Sequence, residues 1–239
     1  MQLGINSARA GRVSESVLRQ QRFVNDVSHE LRTPLTIIRG YVDLLENFGA
    51  NDPDIFKEAV TSIKKSAQNM QCLVEGLLFL ARADQGRQPL TKVPVDFDEL
   101  LKNFVEEYPS PRVQISKLAP CKIFADAEFI KKMLAAFLDN ALKYSPTNTP
   151  VKIELTASKD KATLKFIDKG IGIPKEDCSK IFDRFYRTDK SRTKIGDDEN
   201  SVGLGLSVAK WIADRHDIEI KVKSNLGEGS VFTLTIPTI

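Results

Sequence analysis

Residues Phe23–Leu45 read FVNDVSHELRTPLTIIRGYVDLL. Apolar residues recur at Val24, Val27, Leu31, Leu35, Ile38, Val42 and Leu45 in alternating short steps, the spacing of a helix face that lies along another helix. The pattern extends back through Val13 and Val17, with Gln20 at the intervening seam position. A polar turn, NFGANDP, stops it, with Gly49 near its end and Pro53 just beyond. A second periodic stretch starts near Asp54, carries Phe56, Val60, Ile63, Ala67, Met70, Val74, Leu77 and Leu80, and ends around Arg82–Gly86. The reading predicts an all-α helical hairpin with one apolar stripe on each arm. A lone hairpin cannot cover both stripes, so two copies are expected to pair as a dimeric four-helix bundle. The alternative is a monomer whose hairpin folds back on the rest of the chain.

Within the first helix sits His29, one of 2 histidines in the chain. Arg32 and Thr33 follow one turn later on the same face, and Glu30 lies about 100° round the helix. Val27 and Leu31 face the seam, which turns His29 toward solvent. Pro34 lacks an N–H, and its ring collides with the carbonyl of Glu30, so the helix is expected to weaken one turn beyond the histidine. An exposed imidazole beside a carboxylate is a nucleophile or a proton carrier.

The totals set the frame. A chain of 239 residues holds one large domain or two modest ones. A net charge of +3 is too small to mark a binder of nucleic acid or anionic membrane. Cys72, Cys121 and Cys178 are far apart and form no CxxC, which reads as reduced thiols in a cytosolic setting. No apolar run approaches the roughly 18 residues that span a bilayer, and no signal peptide opens the chain, so the sequence as given reads as soluble.

The stretch ADQGRQPLTKVPVD (Ala83–Asp96) reads as a linker. Beyond it, helical spacing appears at Asp96–Glu107, Ala127–Tyr144 and Leu204–His216. Strand-like alternation appears at Cys121–Ala125, Val151–Ala157, Ala162–Asp168, Ile218–Val222 and Val231–Ile236. The expected fold is an α+β two-layer sandwich following the hairpin. The domains are read as 1–20, a signalling helix or linker; 21–88, the hairpin; and 89–239, the sandwich.

Three stretches of the second half point to a nucleotide. FLDNALKYS places Asn140, Lys143 and Tyr144 three and four apart on one helix face. An amide oxygen can ligate Mg²⁺, an ammonium can meet a phosphate, and an aromatic ring can cover a base. In FIDKGIGIP, Asp168 continues the inward face of Leu164 and Phe166, and an inward carboxylate needs a donor such as the adenine amine. Gly170 and Gly172 let a flat base approach the backbone. VGLGLSVAKWIADRH opens a helix with Gly203 and Gly205, whose free N–H groups suit phosphate. Between them, IFDRFYRTDKSRTKIGDDEN has the length and polarity of a lid, with Arg184 or Arg187 available for phosphate and with Phe182 and Phe185 as hinge packing. SNLGEGSVFTLTIP reads as a hairpin turning at Gly227 and Gly229.

Taken together, these stretches resemble the cytoplasmic core of sensor histidine kinases of two-component systems, and the resemblance covers nearly the whole chain. SHELRTPL is similar to that family's phosphoacceptor box, LDNALKYS to its N box, DKGIGIP to its first glycine box and IFDRFYR to its F box. GLGLSVAK and GEGSVFTL resemble its later glycine boxes. The resemblance implies a histidine kinase/Hsp90-like ATP-binding domain that uses ATP and Mg²⁺. It implies that His29 takes the γ-phosphoryl group while Glu30 accepts or steers its proton, and that Thr33 positions water for phosphatase action on the partner. It further implies that Asn140 binds the metal, Lys143 and Arg187 meet phosphates, and Asp168 reads adenine, with Tyr144, Gly170, Gly172, Gly203, Leu204 and Gly205 completing the nucleotide site.

The implied partners are a second copy and a response regulator whose aspartate receives the phosphoryl group. A membrane contact is implied only through an N-terminal sensor region outside this sequence, with this part on the cytoplasmic side of the inner membrane. Two departures stand out: Ala136 stands where the family often has a second asparagine, and Asn200, Ser201 and Val202 replace a common Gly-Gly-Thr. They leave open a phosphatase-biased enzyme, or a non-catalytic dimeric scaffold with ATP as allosteric ligand. An ATPase of the chaperone or mismatch-repair kind has no place for the histidine helix.

Overall fold

The structure, a computed structural model, describes residues 2–48, 52–108, 110–188 and 203–239, with no side-chain description at 2–20, 22 and 23. The expected seam at Val13, Val17 and Gln20, the turn around Gly49, and residues 189–202, which hold the rest of the lid and Asn200, Ser201 and Val202, therefore fall outside the described side chains. The chain divides into two compact units, Met1–Glu75 and Gly76–Ile239.

The first unit is a helical hairpin of α1 (Gln2–Phe48) and the greater part of α2 (Pro53–Asp84). Pro53 is the first residue of α2, where its missing N–H costs nothing. Asp52 caps that helix: its Oδ1 accepts from the N–H of Asp54 at 3.0 Å and of Ile55 at 3.2 Å. Across the hairpin, the Tyr41 hydroxyl donates to Glu58 Oε1 at 3.0 Å. The expected weak point does not interrupt α1, which continues as one helix through Pro34, and Pro34 itself is buried.

The seam is divided between two surfaces. Val27, Leu31, Ile38 and Leu45 are partly covered, but Val24 (55% exposed), Leu35 (58%), Phe56 (53%) and Val74 (46%) are open. Val42 and Val60 are also exposed.

The second unit begins with the last turns of α2. It continues through β1 (Val93–Asp96), α3 (Phe97–Glu107), β2 (Val113–Leu118), β3 (Lys122–Ala125), α4 (Ala127–Tyr144), β4 (Val151–Ala157) and β5 (Lys161–Ile167). A short 3-10 turn (Lys180–Phe182), α5 (Gly205–Arg215), β6 (Glu219–Asn225) and β7 (Gly229–Pro237) complete it. Five strands form a sheet in the order β2-β4-β5-β7-β6, antiparallel except for the parallel β2–β4 pair, and β1 pairs with β3 in a separate ribbon. Alternate residues of β4, β5 and β7 are buried: Val151, Ile153 and Leu155; Ala162, Leu164 and Phe166; Phe232, Leu234 and Ile236. They meet Met133, Leu134, Phe137 and Leu138 of α4 in one core. Phe137 stacks on Phe166 with centroids 5.3 Å apart and leans on Phe232 at 5.4 Å.

Two strands differ from the sequence reading. β1 lies in the Pro-rich stretch read as linker, its Pro94 on a two-stranded ribbon where a missing donor is tolerated. β2 has its alternation broken by a bulge between Ile115 and Lys117.

The end of α2 belongs to this unit by packing. Phe79 meets Trp211 edge-on at 5.0 Å and Phe129 at 5.8 Å, while Leu80 and Ala83 are buried. Arg184 grips Asp84 with both nitrogens, at 2.7 and 2.9 Å. Of the two arginines considered for phosphate, Arg184 is thus paired with a carboxylate. His216 is a buried strut: Nε2 accepts from the Asp126 N–H at 3.0 Å, and Nδ1 lies 2.8 Å from the Ile212 carbonyl. The Asp126 side chain in turn caps α4 by accepting from the N–H of Phe129.

Candidate functional site

A cleft of about 520 Å³, open mouth included, lies in the second unit. Its walls come from the end of α4 (Asn140, Tyr144), the loop after β5 (Asp168, Ile171, Gly172, Ile173), the segment after the 3-10 turn (Tyr186, Arg187, Thr188), and from Ile181, Leu206 and Ser230.

Asp168 is the buried carboxylate of this cleft, 6% exposed at the end of β5. Its Oδ1 accepts from the Gly170 N–H at 2.7 Å and the Ser230 N–H at 3.2 Å. Burial pushes its pKa above the ordinary value, against the opposing pull of those hydrogen bonds. Both backbone bonds fall on Oδ1, and the Ser230 side chain adds a further hydrogen bond to the carboxylate.

The loop that follows is fixed on two sides. Ile171 donates its N–H to the Tyr144 carbonyl at 3.2 Å, and its own carbonyl accepts from Gly227 at 2.8 Å. Ile173 donates to Ser224 Oγ at 2.8 Å. Gly172 has φ +72°, and a Cβ there would lie 2.0 Å from the Asn225 carbonyl oxygen, so only glycine fits. Opposite, the Tyr186 hydroxyl donates to Asp177 Oδ1 at 2.5 Å, which holds that ring as a wall.

Of the residues singled out in the sequence, Asn140, Tyr144, Asp168, Gly172 and Arg187 line the cleft. Gly170 packs behind it, where a Cβ would lie 2.6 Å from the Tyr144 carbonyl oxygen. Lys143 lies over the Tyr144 ring at 5.4 Å. Gly203, Leu204 and Gly205 are not among the lining residues. Gly203 accepts from the Phe185 N–H at 3.0 Å, and Leu204 is buried against Gly76. Ala136, on α4, faces the start of α5, where a Cβ on Gly205 would be 3.8 Å from its methyl. Ser230, Ile171, Ile173, Tyr186 and Leu206 were not singled out. Ser230 could have been found as the residue opposite Asp168 once β5 and β7 were paired.

The histidine helix lies in the first unit. His29 and Thr33 are exposed, and Glu30 is partly covered. The Thr33 hydroxyl reaches the His29 carbonyl at 3.5 Å, a bond at the limit of usefulness. Ser28 and Thr36 donate back to Val24 and Arg32 at 2.7 and 2.9 Å.

Residues 19–86 match the His Kinase A (phospho-acceptor) domain, and residues 125–239 match the histidine kinase-, DNA gyrase B-, and HSP90-like ATPase family. This chain belongs to the sensor histidine kinases. The kinase is 38% identical over 220 residues to sensor histidine kinase YkoH of Bacillus subtilis (strain 168), covering 90% of this chain and 47% of that one. It is 34% identical over 229 residues to signal transduction histidine-protein kinase ArlS of Staphylococcus aureus (strain USA300), covering 93% and 50%. The chain thus spans about half the length of the curated relatives it matches. Among solved structures, histidine kinase AdeS of Acinetobacter baumannii superposes with a TM-score of 0.66 at 26% identity, covering 87% of this chain and 97% of that one. Full-length ShkA, solved in complex with AMPPNP, gives 0.62 at 25% identity, covering 88% and 44%. ThkA, solved in complex with response regulator protein TrrA, gives 0.69 at 24% identity, covering 91% and 61%, a likeness of fold.

Proposed function

We propose that the kinase binds ATP in the cleft and phosphorylates itself on His29, then passes the phosphoryl group to an aspartate of a response regulator. The observation that carries the reading is Asp168, a buried carboxylate lining one cleft with Asn140, Tyr144 and Arg187, in a chain that also exposes His29 on its helical hairpin. Oδ2 accepts the adenine amine, Tyr144 and the isoleucines flanking Gly172 enclose the base, and Arg187 serves the phosphates. Lys143, Gly203, Leu204 and Gly205 act nearby as the phosphate-side elements.

Mg²⁺ fits this donor set. No cluster of three or more His, Cys, Asp or Glu able to hold a metal occurs among the described residues. Mg²⁺ at nucleotide sites needs only one or two protein oxygens plus phosphates, and the amide oxygen of Asn140 lines the cleft. When bound, the ion neutralises phosphate charge. A ring nitrogen of His29 attacks the γ-phosphorus, the bond to the β–γ bridging oxygen breaks, and ADP leaves. Glu30 takes the proton that the ring then loses. Thr33 positions a water molecule that hydrolyses the regulator's aspartyl phosphate, releasing inorganic phosphate and the free aspartate; the slack in its bond to the His29 carbonyl leaves the hydroxyl available.

The active form is a homodimer. Val24, Leu35, Val42, Phe56, Val60 and Val74 form the surface that a second hairpin covers as a four-helix bundle. The functional division is 1–20, signalling helix; 21–88, dimerisation and phosphotransfer; and 89–239, ATP binding. The full-length protein is anchored in the inner membrane with this part in the cytoplasm. None of the described helices is long and apolar enough to cross a membrane.

Incubation with γ-labelled ATP tests the reading. The expected label is acid-labile, base-stable, absent from His29→Gln, and chased onto a regulator aspartate. Label that persists in His29→Gln, or none in the parent, would refute it.

A further inference from the structure

The last two turns of α4 are held from the face opposite the cleft. Tyr108, at the end of α3, donates its hydroxyl to Asp139 Oδ1, and Asp139 is the residue before Asn140. Four residues after Tyr108, Arg112 spreads its guanidinium under the helix end. Nη1 donates to the Leu142 carbonyl at 3.2 Å, Nη2 to Ser145 at 3.3 Å and Pro146 at 2.8 Å, and Nε to Thr149 at 3.0 Å.

A helix leaves its last four carbonyls without intrahelical donors, and a glycine in the left-handed region usually supplies the return. α4 ends differently: Ser145 is extended at φ −96° and ψ 146°, and Pro146 follows. The guanidinium takes the place of that motif, its positive charge at the negative end of the helix dipole. Its planar array of donors matches several carbonyls at once, which a lysine ammonium cannot do.

The bonds alternate around the helix. Asp139, Leu142 and Ser145 are held from behind, while Asn140 and Tyr144 line the cleft. The Tyr144 carbonyl, between the two sides, receives the Ile171 N–H and lies 2.6 Å from the point a Cβ on Gly170 would occupy. A shift of this helix end therefore moves the loop that begins at Asp168, along with Asn140.

We propose that Arg112, assisted by Tyr108, is a positioning residue for nucleotide binding, clamping the end of α4 so that Asn140 and the Asp168 loop are presented together. The inference rests on the nucleotide reading above. A mere helix cap would affect melting alone; a clamp affects affinity in the folded protein, and most of all the part of it that depends on the metal through Asn140.

The test is calorimetric titration with a non-hydrolysable ATP analogue, with and without Mg²⁺. Parent, Arg112→Gln, Arg112→Lys and Tyr108→Phe are compared below the melting temperature of each. Arg112→Gln is expected to weaken Mg²⁺-dependent binding by about tenfold, ~1.4 kcal/mol, and to reduce the gain in affinity that Mg²⁺ confers. Arg112→Lys should fall between it and the parent, and Tyr108→Phe should move in the same direction by a smaller factor. Variants that melt earlier yet keep the parent's affinity and Mg²⁺ dependence would overturn the clamp. If Arg112→Gln fails to fold, Arg112→Lys and Tyr108→Phe decide by the same criterion. A parent that binds no nucleotide would instead overturn the nucleotide reading, and this inference with it.

Discussion

His216 Nε2 accepts the backbone N–H of Asp126 at 3.0 Å, joining positions 90 residues apart. The bond requires a neutral ring with its proton on Nδ1, facing the Ile212 carbonyl. Burial is the main cause that lowers its pKa from 6.5; Lys92 lowers it further, while the Ile212 carbonyl, Asp126 and Asp217 pull the other way. The unfolded chain therefore takes up the proton first, and stability falls as pH drops below about 6.5. Melting temperatures measured against pH should show this acid-side slope, and His216→Phe should remove most of it. An unchanged slope in that variant would assign it to the carboxylates.

Asp168 has its pKa raised by burial, so in the free protein it is protonated at a higher pH than an ordinary carboxyl. Only the ionised form accepts from both backbone donors and from adenine. Nucleotide affinity should therefore decline on acidification sooner than an ordinary carboxylate would dictate. Asp168→Asn should lose about tenfold or more in affinity at neutral pH, since an amide nitrogen repels the adenine amine. Its melting temperature should hold or rise, because a buried charge is removed. Calorimetry alongside thermal melts checks both.

Arg184 and Asp84 make a two-pronged pair, but their side chains are 35% and 56% exposed. Solvent screening then limits the pair to about 1 kcal/mol or less. A double-mutant cycle of Arg184→Gln and Asp84→Asn on the unfolding free energy should return a coupling of that size. A value of several kcal/mol would show that the pair is far better shielded.

Gly172 and Gly86 both have positive φ, +72° and +63°. They differ in surroundings: a Cβ at Gly172 would strike the Asn225 carbonyl at 2.0 Å, whereas nothing lies within 4 Å at Gly86. Gly86→Ala should cost only about 1–2 kcal/mol, the strain of the left-handed region. Gly172→Ala should displace the loop against the β6–β7 turn and abolish nucleotide binding. Melts and titrations of the two variants make the comparison.

Phe137→Ala should cost about 3–5 kcal/mol, the usual range for emptying a fully buried phenylalanine site. Its ring lies between Phe166 and Phe232, so the loss joins helix layer to sheet. Denaturant unfolding measures it.

Legibility followed physical range. The helices α2, α4 and α5 were readable because an apolar face repeats along each, and β4, β5 and β7 because alternate residues enter one core. β1 was hidden because Pro94 and the polar residues before it carry the composition of a linker, and the ribbon partner that stabilises it is 32 positions away at Ala125. Pro34 was read as a missing donor, but α1 continues through it, and its burial is not a local property of the sequence. At the cleft, the inward direction of Asp168 followed from strand alternation. Arg112, Ser230 and Tyr186 did not stand out, since each gains its meaning from a partner brought close only by the fold. Lys143 and Leu204 showed the converse: a good spacing in sequence says nothing about which neighbour the side chain reaches first.

The aromatic seat of Phe79 between Trp211 and Phe129 bears on how the molecule should be dissected. A fragment begun in the Pro-rich stretch near Pro89 would strip off Phe79, Leu80 and Ala83 and leave an indole and a phenyl ring facing water. Such a fragment would be prone to self-association and would lose Arg184's counterion. Starting the excision at Gly76 carries the greasy plug along with the sheet.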